Sequence, residues 1–69
     1  MLILRKGKKT IREYSSAYEA AADVNTLGAI FPAEQIPTVQ RFLQRNAFSF
    51  SIRGVKARLG GGLVLENVA

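Results

Sequence analysis

The sequence predicts an α+β fold: a mainly antiparallel sheet, made of an N-terminal ribbon, a C-terminal hairpin and a last strand, with two helices packed on one face. Three observations carry this. Apolar and polar residues alternate with period two over 48–59, a helix-start signature stands at Ser16, and an apolar stripe at helical spacing follows Pro37. At 69 residues the chain is one small domain spanning 1–69. A domain of this size buries only about 60% of its unfolded surface, so its core is small.

Residues 2–14 form the first ribbon. Leu2, Ile3 and Leu4 are apolar and β-prone, Lys6-Gly7-Lys8 turns, and Thr10, Ile11 and Tyr14 are β-branched or aromatic. Two registers stay open: a three-residue loop pairs Ile3 with Ile11, and a longer loop from Gly7 pairs Leu4 with Ile11.

Ser16-Ala17-Tyr18-Glu19 is a capping box. The Ser16 hydroxyl accepts from the Glu19 N–H, and the Glu19 carboxylate returns to the Ser16 N–H. The helix that starts there carries Ala17, Ala20 or Ala21, Val24 and Leu27 at helical spacing, and Gly28 is expected to end it in a left-handed conformation. Glu19 and Asp23 fall on its solvated face, the acidic side of the molecule. After the apolar connection Ala29-Ile30-Phe31-Pro32, Pro37 limits the second helix. Proline is tolerated only in a first turn, so this helix begins no earlier than about Gln35. Val39, Phe42 and Leu43 make its stripe, Gln40, Arg41, Gln44 and Arg45 its polar face, and Asn46 its end.

The stretch 48–59 reads as a hairpin turning at Arg53-Gly54. Phe48, Phe50, Ile52, Val55, Ala57 and Leu59 then share the core side, and Ser49 and Ser51 face Arg58 and Lys56 on the other. Gly60-Gly61-Gly62 is a bulge or flexible turn, since a phosphate loop would carry Gly-Lys-Ser/Thr into a helix. Residues 63–68 make the last strand, whose apolar edge allows a homodimer that extends the sheet across chains.

Composition narrows the function classes. Ten Lys and Arg against five Asp and Glu give a charge of +5 and a pI near 10.3. Such a field attracts phosphate backbones, anionic lipid or acidic proteins. With no cysteine and no histidine, disulfides, Cys/His zinc sites and thiol redox chemistry are excluded, and neither a metal nor a cofactor is expected. No apolar run approaches the roughly 18 residues that cross a bilayer, and Arg5 interrupts the N-terminal apolar run too early for a signal core. The expectation is an unprocessed cytoplasmic protein with no membrane role. The acids do not pair in sequence except Glu19 with Asp23, and Ser15 and Ser16 serve as caps. No catalytic residue is assigned, and the protein is not expected to be an enzyme.

The candidate contact residues are therefore the cations. Arg5, Lys6, Lys8, Lys9 and Arg12 crowd the first ribbon's turn, the densest positive cluster, where lysines on a hairpin tip reach phosphates. Arg41 and Arg45 lie four apart near the end of the second helix, where the macrodipole also favours cations. Arg53, Lys56 and Arg58 make a basic face on the second ribbon, which gains force if the fold places Lys8, Lys9 or Arg12 on the same surface. The expected function is a non-enzymatic regulatory binding protein that contacts nucleic acid, DNA or RNA, through its backbone. The alternative is a small interaction module or inhibitor, of the kind that phage and mobile elements encode. It would dock on an acidic or nucleic-acid-binding protein.

Overall fold

A computed structural model describes residues 1–68. Strands β1 (Leu2–Lys6) and β2 (Lys9–Tyr14) open the chain; helices α1 (Ala17–Ala22) and α2 (Val24–Ile30), a 3₁₀ turn (Ala33–Gln35), and helices α3 (Ile36–Arg45) and α4 (Ala47–Phe50) follow; β3 (Lys56–Gly60) and β4 (Leu63–Asn67) close it. The strands form one antiparallel sheet in the order β2-β1-β4-β3. The α+β class is as the sequence predicts, and the helical layer packs on one face of the sheet.

That face is set by alternation. Leu2 and Leu4 of β1 lie opposite Asn67 and Leu65 of β4, and all four are buried. Ala17, Ala20 and Ala21 of α1, Leu27 of α2, Leu43 of α3 and Phe50 of α4 close the core over them. The small α1 residues let α3 approach closely. Gln40 Nε2 then donates to the Ala21 carbonyl at 2.8 Å, satisfying a group that the end of α1 leaves free. Gln40 is therefore a half-buried stitch between helices, not part of the solvated face predicted for it.

The hairpin predicted over 48–59 is not formed. Its first half winds into α4, with Phe50 2% exposed and Phe48 82% exposed, and Ile52 is half exposed as well. A two-residue turn at Arg53-Gly54 would force an arginine to positive φ, at roughly 1–2 kcal/mol. Gly61 and Gly62 take φ of 60° and 81° without that penalty, as a type I′ turn requires, and they join β3 to β4. The triple glycine is thus the hairpin turn. Lys56 and Arg58 face Glu66 and Val64, not the serines.

The first ribbon forms, but in neither predicted register. A two-residue turn at Gly7-Lys8 places Lys6 opposite Lys9 and Leu4 opposite Arg12, with Ile11 the extra residue of a bulge. Gly7 has φ of 61° at the first central position, where a type II′ turn needs glycine.

Helix one is broken in two by Asp23, and Gly28 does not stop it. Asp23 leaves helical geometry (φ −83°, ψ 70°) and caps α2 by accepting from the Thr26 N–H at 3.3 Å. The helix runs through Gly28 to Ile30. The Ser16 cap holds, with its hydroxyl accepting from the Glu19 N–H at 3.2 Å, but the Glu19 carboxylate binds Ser15 rather than returning to Ser16. Helix α3 starts after Gln35 with Pro37 in its first turn, as predicted, and Asn46 ends it.

The last strand is not an edge. β4 lies between β1 and β3, so it has no free side for a second chain, and the edges are β2 and β3. Both edges carry a bulge and cations, features that discourage strand addition. No helix among the described residues is long and apolar enough to cross a membrane.

Candidate nucleic-acid interface

Two sequence-distant turns meet at one end of the sheet. The Gly7 N–H donates to the Gly62 carbonyl at 3.2 Å, which locks the β1–β2 tip beside the β3–β4 tip. The rung nearest the tips holds Lys9, Lys6, Leu63 and Gly60, and the next holds Thr10, Arg5, Val64 and Arg58. No strand residue in these two rungs is acidic. Arg5, Lys6, Lys8, Lys9 and Arg58, separated in sequence by up to fifty-three positions, are brought to this end.

Strand alternation divides these cations between faces. Arg5 and Arg58 flank Val64 on the sheet face that carries no helices, and Lys8 projects from the turn beyond it. Lys6 points toward the helical side, where it lines an open depression of about 390 Å³ with Phe31, Pro32, Gln35 and Leu59. Arg5 is held in place: its Nη1 donates to the Gly7 carbonyl at 2.8 Å and its Nη2 lies 3.4 Å from Glu66. Two rungs further from the tips, Lys56 stands opposite Glu66, so the field weakens toward the middle of the face.

The remaining sequence candidates lie elsewhere. Arg12 falls on the helical side, 3.4 Å from Asp23, rather than beside Lys56 and Arg58. Arg41 and Arg45 are exposed on α3 in the helical layer. Arg53 lies in the turn before β3, where the Gly54 N–H donates to the Asn67 carbonyl at 2.8 Å, at the end of the sheet remote from the tips. Of the three predicted basic groups, only Arg58, from the second ribbon's, joins the first ribbon's lysines at the tips.

Sequence reasoning missed a polar cluster beneath the sheet's β2 edge. Asp23 accepts from the Tyr14 hydroxyl at 2.8 Å, from the Thr26 N–H and from Arg12. Far from lying on a solvated face, its side chain is only 18% exposed. Hydrogen bonds from Thr26 and from the Tyr14 hydroxyl pull its carboxyl down to about 2. Burial, then the Asp23 hydrogen bond, pushes the Tyr14 phenol up to about 12. An available signal was the Asp-x-x-Thr spacing of Asp23 and Thr26, a helix start inside an otherwise helical pattern. The cluster joins β2 to the α1–α2 junction, and its groups are committed to one another; it supplies no free nucleophile or base.

No family model matches the chain, and neither a curated protein nor a solved structure matches it.

Proposed function

We propose that this is a non-enzymatic regulatory protein that binds the phosphate backbone of nucleic acid with the paired hairpin tips. The single observation behind this is the meeting of Gly7 and Gly62, which gathers Arg5, Lys6, Lys8, Lys9 and Arg58 where neither of the two nearest strand rungs carries an acid. Phosphates are recognised by clustered cations that release counterions, and the short turns hold these side chains at fixed spacing. DNA and RNA share that chemistry. The site needs no disulfide, in keeping with work in a reducing cytoplasm.

The test is binding to labelled DNA and RNA across salt. With Arg5 partly committed, about four cations remain for phosphates, giving a slope of log K against log salt near −3.6 on duplex DNA and −2.8 on single strands. The triple variant Lys8→Ala, Lys9→Ala, Arg58→Ala is expected to reduce the duplex slope by about 2.7 with an unchanged melting temperature. A salt-independent affinity, or one that this variant leaves intact, refutes the proposal.

One observation favours the second reading, a protein-interaction module. Ile3 and Val64 lie half-buried on the open face, Val64 between Arg5 and Arg58 and Ile3 between Glu13 and Glu66, an apolar centre with a rim of mixed charge. Stoichiometric capture of one acidic protein through this face, without retention on DNA or RNA, selects it.

A further inference from the structure

Two open depressions meet at Leu59 on the β3 edge. Leu59 is the extra residue of the β3 bulge, an irregularity that re-aims a side chain out of strict alternation, and it is half-buried between them. Toward the tips lies the 390 Å³ depression that holds Lys6, lined also by buried Phe31 and Leu63 and by exposed Pro32. The second, of about 230 Å³, lies between α3 and β3 and is lined by Thr38, Val39, Phe42, Arg58 and Leu59. Phe42 meets Phe50 edge to face yet stays 40% exposed. Among the described residues, none that lines either depression is acidic. The turn beside the first is all glycine, so no side chain of residues 60–62 covers it.

We propose that the nucleic acid bound at the tips is single-stranded, with unpaired bases seated in these two depressions. The inference rests on the phosphate-binding reading above and names its substrate class. A nucleotide joins one flat, largely apolar base to one negative phosphate. Each depression offers the complement, apolar walls with one cation: Lys6 in the first and Arg58 in the second. Both cations belong to the tip cluster, so a backbone held there brings its bases to the β3 edge. In a duplex the base faces are closed by stacking and pairing, whereas those of a single strand are free to meet apolar walls. Phe42 supplies a ring on which any base can stack, so the site reads strandedness rather than sequence. An apolar peptide would bring no charge to set against the two cations, which makes the nucleotide the occupant of matching chemistry.

Fluorescence anisotropy at one fixed salt concentration tests this. The labelled probes, each roughly 12 nucleotides long, are oligothymidylate, oligouridylate, a DNA duplex and an abasic deoxyribose-phosphate strand. The base-bearing single strands are expected to bind at least about tenfold more tightly than the abasic strand, and more tightly than the duplex. The ratio between oligothymidylate and oligouridylate tells DNA from RNA as the source of the bases. Phe42→Leu, which keeps an apolar contact with Phe50, should weaken single-strand binding about tenfold and leave the duplex and the abasic strand unchanged. Phe42→Tyr, which keeps the ring, should leave every probe unchanged, and circular dichroism checks that both variants fold. Single strands that bind no better than the abasic strand or the duplex overturn the inference, as does a Phe42→Leu variant that weakens every probe alike or none. In each of those cases the phosphate-binding reading stands, whereas binding to no probe at any salt overturns both. If Phe42→Leu does not fold, the comparison of base-bearing with abasic strands on the unaltered chain decides.

Discussion

Removing the Asp23 carboxylate tests whether the fold depends on the junction that splits helix one. In Asp23→Ala, α2 loses its N-cap bond to the Thr26 N–H, at about 1 kcal/mol. The Tyr14 hydroxyl, on a side chain 95% removed from solvent, loses its 2.8 Å partner, at about 1–1.5 kcal/mol. The Arg12 pair adds at most about 0.5 kcal/mol because the arginine side chain is 60% exposed. The expected loss is about 2–3 kcal/mol. At 0.05–0.15 kcal/mol per residue the whole domain holds roughly 3–10 kcal/mol, so the variant should be visibly less stable in urea. Tyr14→Phe alone should cost about 1 kcal/mol, and the double variant should cost about 1 kcal/mol less than the two single losses together, since both remove the same bond. The acid limb follows from the same contacts. Because the folded carboxyl titrates near 2, below its ordinary 3.8, its contribution is complete above about pH 4 and fades as pH falls through 2. Asp23→Asn should remove that part of the acid dependence. A loss under about 0.5 kcal/mol for Asp23→Ala, or strict additivity with Tyr14→Phe, refutes the assignment of this cluster as the fastening of β2 to the helices.

Alkaline unfolding should show the complementary group. The Tyr14 phenol titrates near 12 in the folded chain and near 10 when unfolded, so stability is full below pH 10 and declines between 10 and 12. Tyr14→Phe should flatten that limb, followed by denaturant titration at each pH. Gly61→Val places a β-branched residue at φ of 60° in the β3–β4 turn and should cost about 1–2 kcal/mol. No atom lies within 4 Å of the added Cβ, so Gly61→Asn, which tolerates that backbone, should cost clearly less in the same melts. Asn67→Leu removes the buried 2.8 Å bond from Nδ2 to the Phe50 carbonyl that ties β4 to α4. A loss of about 1–3 kcal/mol in urea unfolding is expected.

The sequence alone determined the elements whose signals are local. The Ser16 cap, the Pro37 limit on α3, the Asn46 end and the apolar strand after the glycines are each set by a side chain acting on its own backbone within a turn. The composition that leaves only cations as candidate contacts is likewise a property of the chain. The turn chemistry was also present: Gly7-Lys8 and Gly61-Gly62 fit the two-residue hairpin types, whereas Arg53-Gly54 does not. Tertiary structure decided the rest. The alternation of Phe48, Phe50 and Ile52 is as compatible with a short helix as with a strand. Packing settled it, because β4 is satisfied by β1 and β3, and Phe50 fills the space beneath α3, 6.1 Å ring to ring from Phe42. Asp23 broke a periodic helix because Tyr14 and Arg12, about ten residues earlier, stand ready to bind its carboxylate. Arg58 reaches the lysines of the first ribbon only because β4 threads between β1 and β3 and sets the two tips side by side. That long-range pairing carries no mark in the local sequence.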